Sequence, residues 1–228
     1  MPDNKACLVI FCKRPTLFQG KQRLAKTIGA PQTYIFAKAF LMCALEDARS
    51  WPGPVVLSPA SAEDRAWAGG LLERDHHILA QPEGCLGHRL QAIDQQLRNL
   101  GHDKIIFIGT DAPILAPHHY QEARKALEEY DVVLSPASDG GVTIMGSRKG
   151  WPQMTGLPWS TEHLGATLEN LCCDHGHRVK KISPSYDIDV EEDLLKLWRD
   201  MRDEQRPARQ ELCRKLGEFL ALDRVKYG

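Results

Sequence analysis

Four short stretches carry residues that could handle a phosphate ester and a metal ion. The first is Lys13-Arg14-Pro15-Thr16-Leu17-Phe18-Gln19-Gly20-Lys21-Gln22-Arg23-Leu24, with four cations in eleven residues. Lysine supplies a point charge and arginine a bidentate fork, so such a loop can wrap a polyphosphate. A solvated basic loop has the same composition. The second stretch is Gly109-Thr110-Asp111-Ala112-Pro113. A carboxylate there, just past an apolar run, suits Mg²⁺, which takes one or two carboxylates plus phosphate oxygens. It also suits a turn, because Asp before X-Pro is a turn signal. The third is Pro136-Ala137-Ser138-Asp139-Gly140-Gly141. Its glycines let a backbone approach a ligand, but Asp-Gly is first of all a hairpin signal. The fourth is Asp187-Ile188-Asp189-Val190-Glu191-Glu192-Asp193-Leu194. Asp187 and Asp189 share a side if that stretch is extended, and either could join Asp111 at a metal. Glu191, Glu192 and Asp193 suit the first turn of a helix, where acids offset its dipole.

The surrounding patterns say what must position these stretches. Short apolar runs at Ala6–Cys12, Pro54–Ser58, His77–Ala80, Lys104–Gly109, Asp131–Ser135, Val142–Met145 and Val179–Ile182 read as strands. Helical spacing appears over Pro31–Arg49, with Ile35, Ala39, Met42 and Leu45 on one face. Ala62–Arg74, Leu86–Leu100, His118–Glu129, Leu164–Cys172 and Glu191–Asp203 also read as helices. Leu90, Ile93, Leu97 and Leu100 mark one face of the second of these. After Glu204 the chain is basic and amphipathic, with Pro207 at a helix start and Leu212, Leu216, Phe219 and Leu220 on one face. Alternating strands and helices imply an α/β, Rossmann-like arrangement with a mostly parallel sheet. Ligands of such sheets sit beyond the carboxyl ends of the strands, which points to the loops after Cys12, Gly109 and Ser135. The chain reads as one domain over residues 1–228, with 204–228 a helical extension.

Composition excludes some partners. Twenty-nine basic and thirty acidic residues give a formal charge of −1. A near-neutral chain has no global electrostatic reason to bind nucleic acid or an anionic membrane. No apolar run reaches the ~18 residues of a membrane span, and the start of the chain lacks the pattern of a signal peptide. Seven cysteines without a CxxC fit reduced, mostly buried thiols, so the expectation is a cytoplasmic protein. The run Cys172-Cys173-Asp174-His175-Gly176-His177 reads as a helix end with a glycine C-cap rather than as a zinc site.

Taken in order, six motifs resemble the DUF2064 family of GT-A-like proteins, whose relatives include the 2-phospholactate and molybdenum-cofactor guanylyltransferases. The family pattern F-A-K-x-P-x-x-G-x-x-K-T-R-L is matched by Phe11, Lys13, Pro15, Lys21, Arg23 and Leu24. Q-x-x-G-D-L-G-E-R-L is matched by Gln81, Gly84, Leu86, Gly87, Arg89 and Leu90. G-[ST]-D-x-P-x-L is matched by Gly109, Thr110, Asp111, Pro113 and Leu115. P-A-x-D-G-G-Y is matched by Pro136, Ala137, Asp139, Gly140 and Gly141. P-W-S-T is Pro158 to Thr161. D-I-D-T-P-E-D-L is matched by Asp187, Ile188, Asp189, Glu192, Asp193 and Leu194. The resemblance runs over roughly residues 6–198. The departures are Phe18 for a glycine, Gln22 for threonine, Cys85 for an acid, His88 for glutamate and Val142 for tyrosine.

The resemblance implies a GT-A fold of the nucleotide-diphospho-sugar transferase type, with three α/β/α layers. It implies a monomeric or homodimeric transferase that binds a nucleotide and a small-molecule acceptor, with Mg²⁺ or Mn²⁺ as cofactor. Lys21, Asp111 and Arg23 would be catalytic. Lys13, Lys21, Arg23, Arg89 and Thr110 would bind the nucleotide. Asp139, Gly140, Gly141, Trp159, Ser160 and Thr161 would bind the acceptor. Asp111 and Asp189 would hold the metal. Nucleotidyl transfer with release of pyrophosphate is the favoured reaction, because Asp111-Ala112-Pro113 lacks the second acid of the D-x-D pair common in glycosyltransferases. Glycosyl transfer from a nucleotide sugar and a non-catalytic nucleotide-binding protein are the alternatives.

Overall fold

The apolar runs become strands because β-branched and aromatic side chains fit a pleated surface covered on both faces. In the computed structural model, which describes residues 5–227 and the side chains of 5–221, they form one sheet. The strands are β1 (Cys7–Cys12), β2 (Val55–Pro59), β3 (His77–Ile78), β4 (Ile105–Ile108), β5 (Val132–Pro136), β6 (Val142–Ser147) and β7 (Val179–Lys181). Their order is β3-β2-β1-β4-β6-β5-β7. β6 runs antiparallel to both its neighbours, and the other pairs are parallel. This is the expected α/β architecture with a mostly parallel sheet.

The chain divides into two compact units, and the whole sheet belongs to the first: the segment ending at Arg14, Ala48–Gly109 and Leu115–Tyr186. One sheet face presents Cys7, Val9, Val56, Ile105, Phe107, Val132, Leu134 and Met145. Helix α4 (Leu86–Asn99) covers it with Leu90, Ile93 and Leu97, and α6 (Leu164–Asp174) with Leu164, Leu168 and Cys172. Phe11 meets Phe107 edge to face at 5.5 Å. Ile93 and Leu97 are fully buried, and truncating either to alanine costs about 2–5 kcal/mol. On the opposite face Leu127, just after α5 (Pro117–Ala126), lies against the β6 backbone at Gly146. Leu100, read from the sequence as part of the α4 stripe, is instead 64% exposed, because it lies past the helix end as its C-cap.

The helix expected over Ala62–Arg74 is shorter. A 3-10 turn at Ala62–Asp64 leads into α3 (Arg65–Gly69), which stops at Gly69-Gly70, where backbone freedom opposes a further turn. Arg74 is then free to cap another helix: its guanidinium donates to the carbonyls of Ala48, Trp51 and Gly53.

The second unit is Pro15–Asp47, Thr110–Ile114 and the chain from Asp187 onward. It contains α1 (Gln22–Ile28), most of α2 (Ala30–Ser50), α7 (Glu191–Asp200) and α8 (Pro207–Tyr227). Helix α7 packs on α1 and on α8. Its core is Leu24, Phe36, Phe40, Cys43, Leu194, Leu197, Leu212 and Leu216. The buried stripe of α2 keeps Ala39 and Leu45 of the sequence reading but not its other two members. Ile35 and Met42 are 40% and 42% exposed, while Phe36 and Phe40 are buried. Two aromatic rings bury more area than Ile and Met, and Phe36 stacks on Phe40 and meets Phe219 of α8 edge to face.

Candidate active site

The first basic loop ends in the second unit, and its shape depends on left-handed residues. Phe18 (φ 65°), Gly20 (φ 75°) and Lys21 (φ 43°) all take positive φ. Gln22 holds the turn by donating from Nε2 to the carbonyl of Phe18 at 3.2 Å. Two of these residues carry side chains and adopt a conformation that costs on the order of 1 kcal/mol each, which marks a segment whose geometry is imposed. The result is that Lys21, at the N-cap of α1, sends its ammonium inward: its side chain is only 9% exposed.

That ammonium meets two acids from distant parts of the sequence. Lys21 Nζ lies 3.2 Å from Asp111 Oδ1 and 3.8 Å from Asp189 Oδ1. It donates a hydrogen bond to the carbonyl of Ile188 and sits 5.7 Å from the centre of the Phe40 ring. The two acidic segments are joined by a backbone hydrogen bond from Ile188 N–H to the Asp111 carbonyl at 2.9 Å. Arg23 Nη1 approaches Asp189 Oδ2 at 3.7 Å from the solvent side, 72% exposed. The carboxylates themselves are 53% (Asp111) and 45% (Asp189) exposed.

The capping expectation for the acids after Val190 is met by Asp193. Its Oδ2 accepts the backbone N–H groups of Asp189 and Val190 at 2.9 and 3.0 Å. The carboxylate of Asp189 is therefore not used on the helix end and is left for the cations. Sequence reasoning missed the residue that fixes the Asp111 segment. Arg209, 1% exposed, donates from Nε to the Pro113 carbonyl at 3.0 Å and from Nη1 to the Cys43 carbonyl at 3.1 Å. It also pairs with Glu46 and Asp47 at 2.9 and 2.7 Å. The signal was present: Arg209 precedes Leu212 and Leu216 by three and seven positions, so a cation stands on an apolar stripe.

The remaining sequence-predicted residues, apart from Thr110, belong to the sheet unit. Thr110 is half-buried beside Asp111 in the second unit, and Lys13 is exposed. Arg89 Nη1 donates to Gln81 Oε1 at 3.1 Å, and Gln81 Nε2 donates to the Ser58 carbonyl at 2.8 Å. Arg89 Nε and the Ser58 hydroxyl are buried without a hydrogen-bond partner. The Asp-Gly signal does turn a hairpin, from β5 into β6, with Gly140 at φ 86°. A Cβ on Gly140 would stand 2.0 Å from the Glu162 carbonyl oxygen, and Gly165 N–H donates to the Gly140 carbonyl at 2.8 Å. The turn thus packs on the segment after Trp159-Ser160-Thr161. Asp139 accepts from Gly141 N–H at 2.9 Å and keeps its carboxylate exposed. Trp159 Nε1 donates to the Met154 carbonyl at 2.9 Å, and the Gly87 backbone lies directly against that indole. Ser160 has φ 64°, and Thr161 Oγ1 donates to the Pro158 carbonyl at 2.8 Å.

A divalent cation fits the acidic pair of the second unit. The Lys21 ammonium already stands as a cation between Asp111 and Asp189, within 4 Å of both. Among the described residues no group of three acids, histidines or cysteines forms a cage, so the remaining ligands of a metal here would be water and phosphate oxygens.

Comparison with known proteins agrees with this architecture. The family model described as an uncharacterized protein conserved in bacteria (DUF2064) matches residues 41–161, more than half of the 228-residue chain. Arg89, Thr110, Asp111, Asp139 and Trp159 fall inside that stretch, and Lys21, Arg23 and Asp189 outside it. A 2-phospho-L-lactate guanylyltransferase of Methanocaldococcus sp. (strain FS406-22) is 29% identical over 55 residues, 24% of this chain and 24% of that protein. The chain thus matches about a quarter of the length of that curated relative. A provisionally named nucleotide-diphospho-sugar transferase of Desulfovibrio desulfuricans G20 superposes with a TM-score of 0.85 at 20% identity, covering 95% of this chain and 97% of that one. A nucleotidyl transferase of Methanothermobacter (Mth528) superposes with a TM-score of 0.57 at 12% identity, over 88% of this chain and 100% of that one. These superpositions establish the nucleotide-diphospho-sugar transferase fold. No described helix is long and apolar enough to cross a membrane.

Proposed function

Since the chain belongs to the DUF2064 family, we propose that it transfers a nucleotidyl group from a nucleoside triphosphate to a small acceptor, with release of pyrophosphate. The observation that carries this reading is the cation–acid node of Lys21, Asp111 and Asp189, held by backbone bonds in the second unit. Lys21 and Arg23 are the charges that would neutralise the polyphosphate and hold it in line for attack on the α-phosphorus. The acceptor supplies its own nucleophilic oxygen, so the chain's task is positioning and charge neutralisation. Asp111 and Asp189 would hold Mg²⁺, which supplies charge stabilisation to the phosphoryl oxygens. Arg89, held by Gln81 in the sheet unit, would contact the nucleotide. Asp139, Gly140, Gly141, Trp159, Ser160 and Thr161 would shape the acceptor's surroundings. Gly140 has no room for a side chain, which supports a fixed backbone turn there.

One observation favours a second reading. The acid missing from Asp111-Ala112-Pro113 has a structural substitute in Asp189, so a two-carboxylate site of the glycosyltransferase kind is also supported. The products separate the two: pyrophosphate from nucleotidyl transfer, a nucleoside diphosphate from glycosyl transfer. The test is thermal unfolding with nucleoside triphosphates and nucleotide sugars, with and without Mg²⁺, on wild type and Asp111→Ala. A ligand at 100 times its dissociation constant adds about 2.7 kcal/mol. We expect a Mg²⁺-dependent shift with one triphosphate that Asp111→Ala abolishes. A shift with a nucleotide sugar alone would establish the second reading, and no shift with any ligand would refute both.

A further inference from the structure

We infer that Lys21 is a tethered competitor of the metal ion. Its ammonium occupies the acidic pair in the nucleotide-free protein, so that the divalent cation binds well only as part of a metal–nucleotide complex. The inference rests on the nucleotidyl-transfer reading of the same site and adds an order of binding to it.

Three observations carry it. First, one atom addresses both acids: Lys21 Nζ lies 3.2 Å from Asp111 and 3.8 Å from Asp189. A divalent cation ligated by the same two carboxylates would have to share that space with a positive charge at contact distance, and the two cations repel each other there. Second, the ammonium is held in place. The left-handed backbone at Lys21, the hydrogen bond to the Ile188 carbonyl and the Phe40 ring all fix the side chain at 9% exposure. Third, the acids are open where the lysine is not. They are 53% and 45% exposed, so a cation in solution reaches them without any rearrangement except that of Lys21.

The lysine stem is long and rotatable, and an ammonium makes no directional demand on its partner. A polyphosphate arriving with its own metal gives the ammonium a new set of anionic oxygens at the moment its carboxylates are taken. A bare metal ion offers it nothing in exchange. Lys21 therefore counts twice, as the internal counter-ion of the resting site and as a phosphate ligand of the loaded one.

The experiment measures Mn²⁺ binding to the full chain without nucleotide, from the electron paramagnetic resonance signal of free Mn²⁺. Wild type is compared with Lys21→Met and with the double variant Lys21→Met/Asp189→Asn. Circular dichroism and thermal unfolding confirm that each is folded, and Lys21→Gln replaces Lys21→Met if the latter is not. We expect the single variant to bind Mn²⁺ about tenfold more tightly than wild type, or better, and the double variant to lose that gain. Equal or weaker binding by the single variant would overturn the competition while leaving the metal site standing. No measurable binding by either protein would overturn the inference and remove the metal from the proposed function. The nucleotide-dependent thermal shift would remain a separate test of that function.

Discussion

Two basic residues of the second unit have partners of the same kinds and opposite characters. Arg209 and Lys21 each address two carboxylates and donate to backbone carbonyls, two for Arg209 and one for Lys21. Around Arg209 the acids are 15% and 6% exposed, and the contacts are 2.7 and 2.9 Å. Around Lys21 the acids are 53% and 45% exposed, and the contacts are 3.2 and 3.8 Å. The first cluster is buried and closed. The second is exposed on its acidic side. A planar guanidinium locks carboxylate geometry, whereas an ammonium can exchange partners. The difference separates a closed ion cluster from an open one, although each is centred on one base between two acids, with a second arginine at one of them.

Breaking the closed cluster has the largest expected effect. Arg209→Met takes one counter-charge from the largely buried Glu46 and Asp47, with Arg206 remaining at Asp47, and frees the Pro113 carbonyl. Stability should fall by about 3–5 kcal/mol in urea unfolding. A loss under 1 kcal/mol would mean that the cluster is not closed in solution. A smaller effect follows from pH. Hydrogen bonds from the Arg206 side chain hold the Glu204 carboxyl at about 2, below its ordinary 4.5, and Arg206 also binds Asp47. A carboxyl depressed in this way stabilises the fold above its unfolded pKa, and the contribution fades as pH falls from about 4.5 toward 2. Stability measured between pH 6 and 2 should show an acid limb, and Glu204→Gln should shrink it by on the order of 1–2 kcal/mol. The smallest effect is at the open cluster. Lys21→Met should change stability by less than about 1 kcal/mol, because half-exposed ion pairs contribute little. A loss as large as that of Arg209→Met would erase the distinction.

The sheet was legible because its strands are continuous apolar runs with turn residues between them. Asp139-Gly140 announced its hairpin because few residues suit that turn. The α2 stripe was half legible: Ala39 and Leu45 are buried as expected, but spacing alone ranks Ile35 and Met42 with Phe36 and Phe40, and the packing of Phe36 against Phe219 favours the aromatics. Helix α1 escaped notice because its seven residues carry too little periodicity. At the candidate site, Lys21, Asp111 and Asp189 were each legible as residue types at loop positions. Their meeting on one ammonium was not, since no local pattern encodes a contact between residues so distant in sequence. Arg209 was hidden for the same reason: its partner Pro113 is 96 positions away.

Those separations also bear on time. The Lys21 hydrogen bond to Ile188 closes a span of 167 residues, and the second unit is assembled from three stretches of chain. Ends so far apart meet at a cost in loop entropy, and non-local contacts slow folding. The β5–β6 hairpin needs no such encounter. A refolding chain gains its hairpin by local search and its cation node by long-range search, so the node forms late and belongs to no single stretch of the polypeptide.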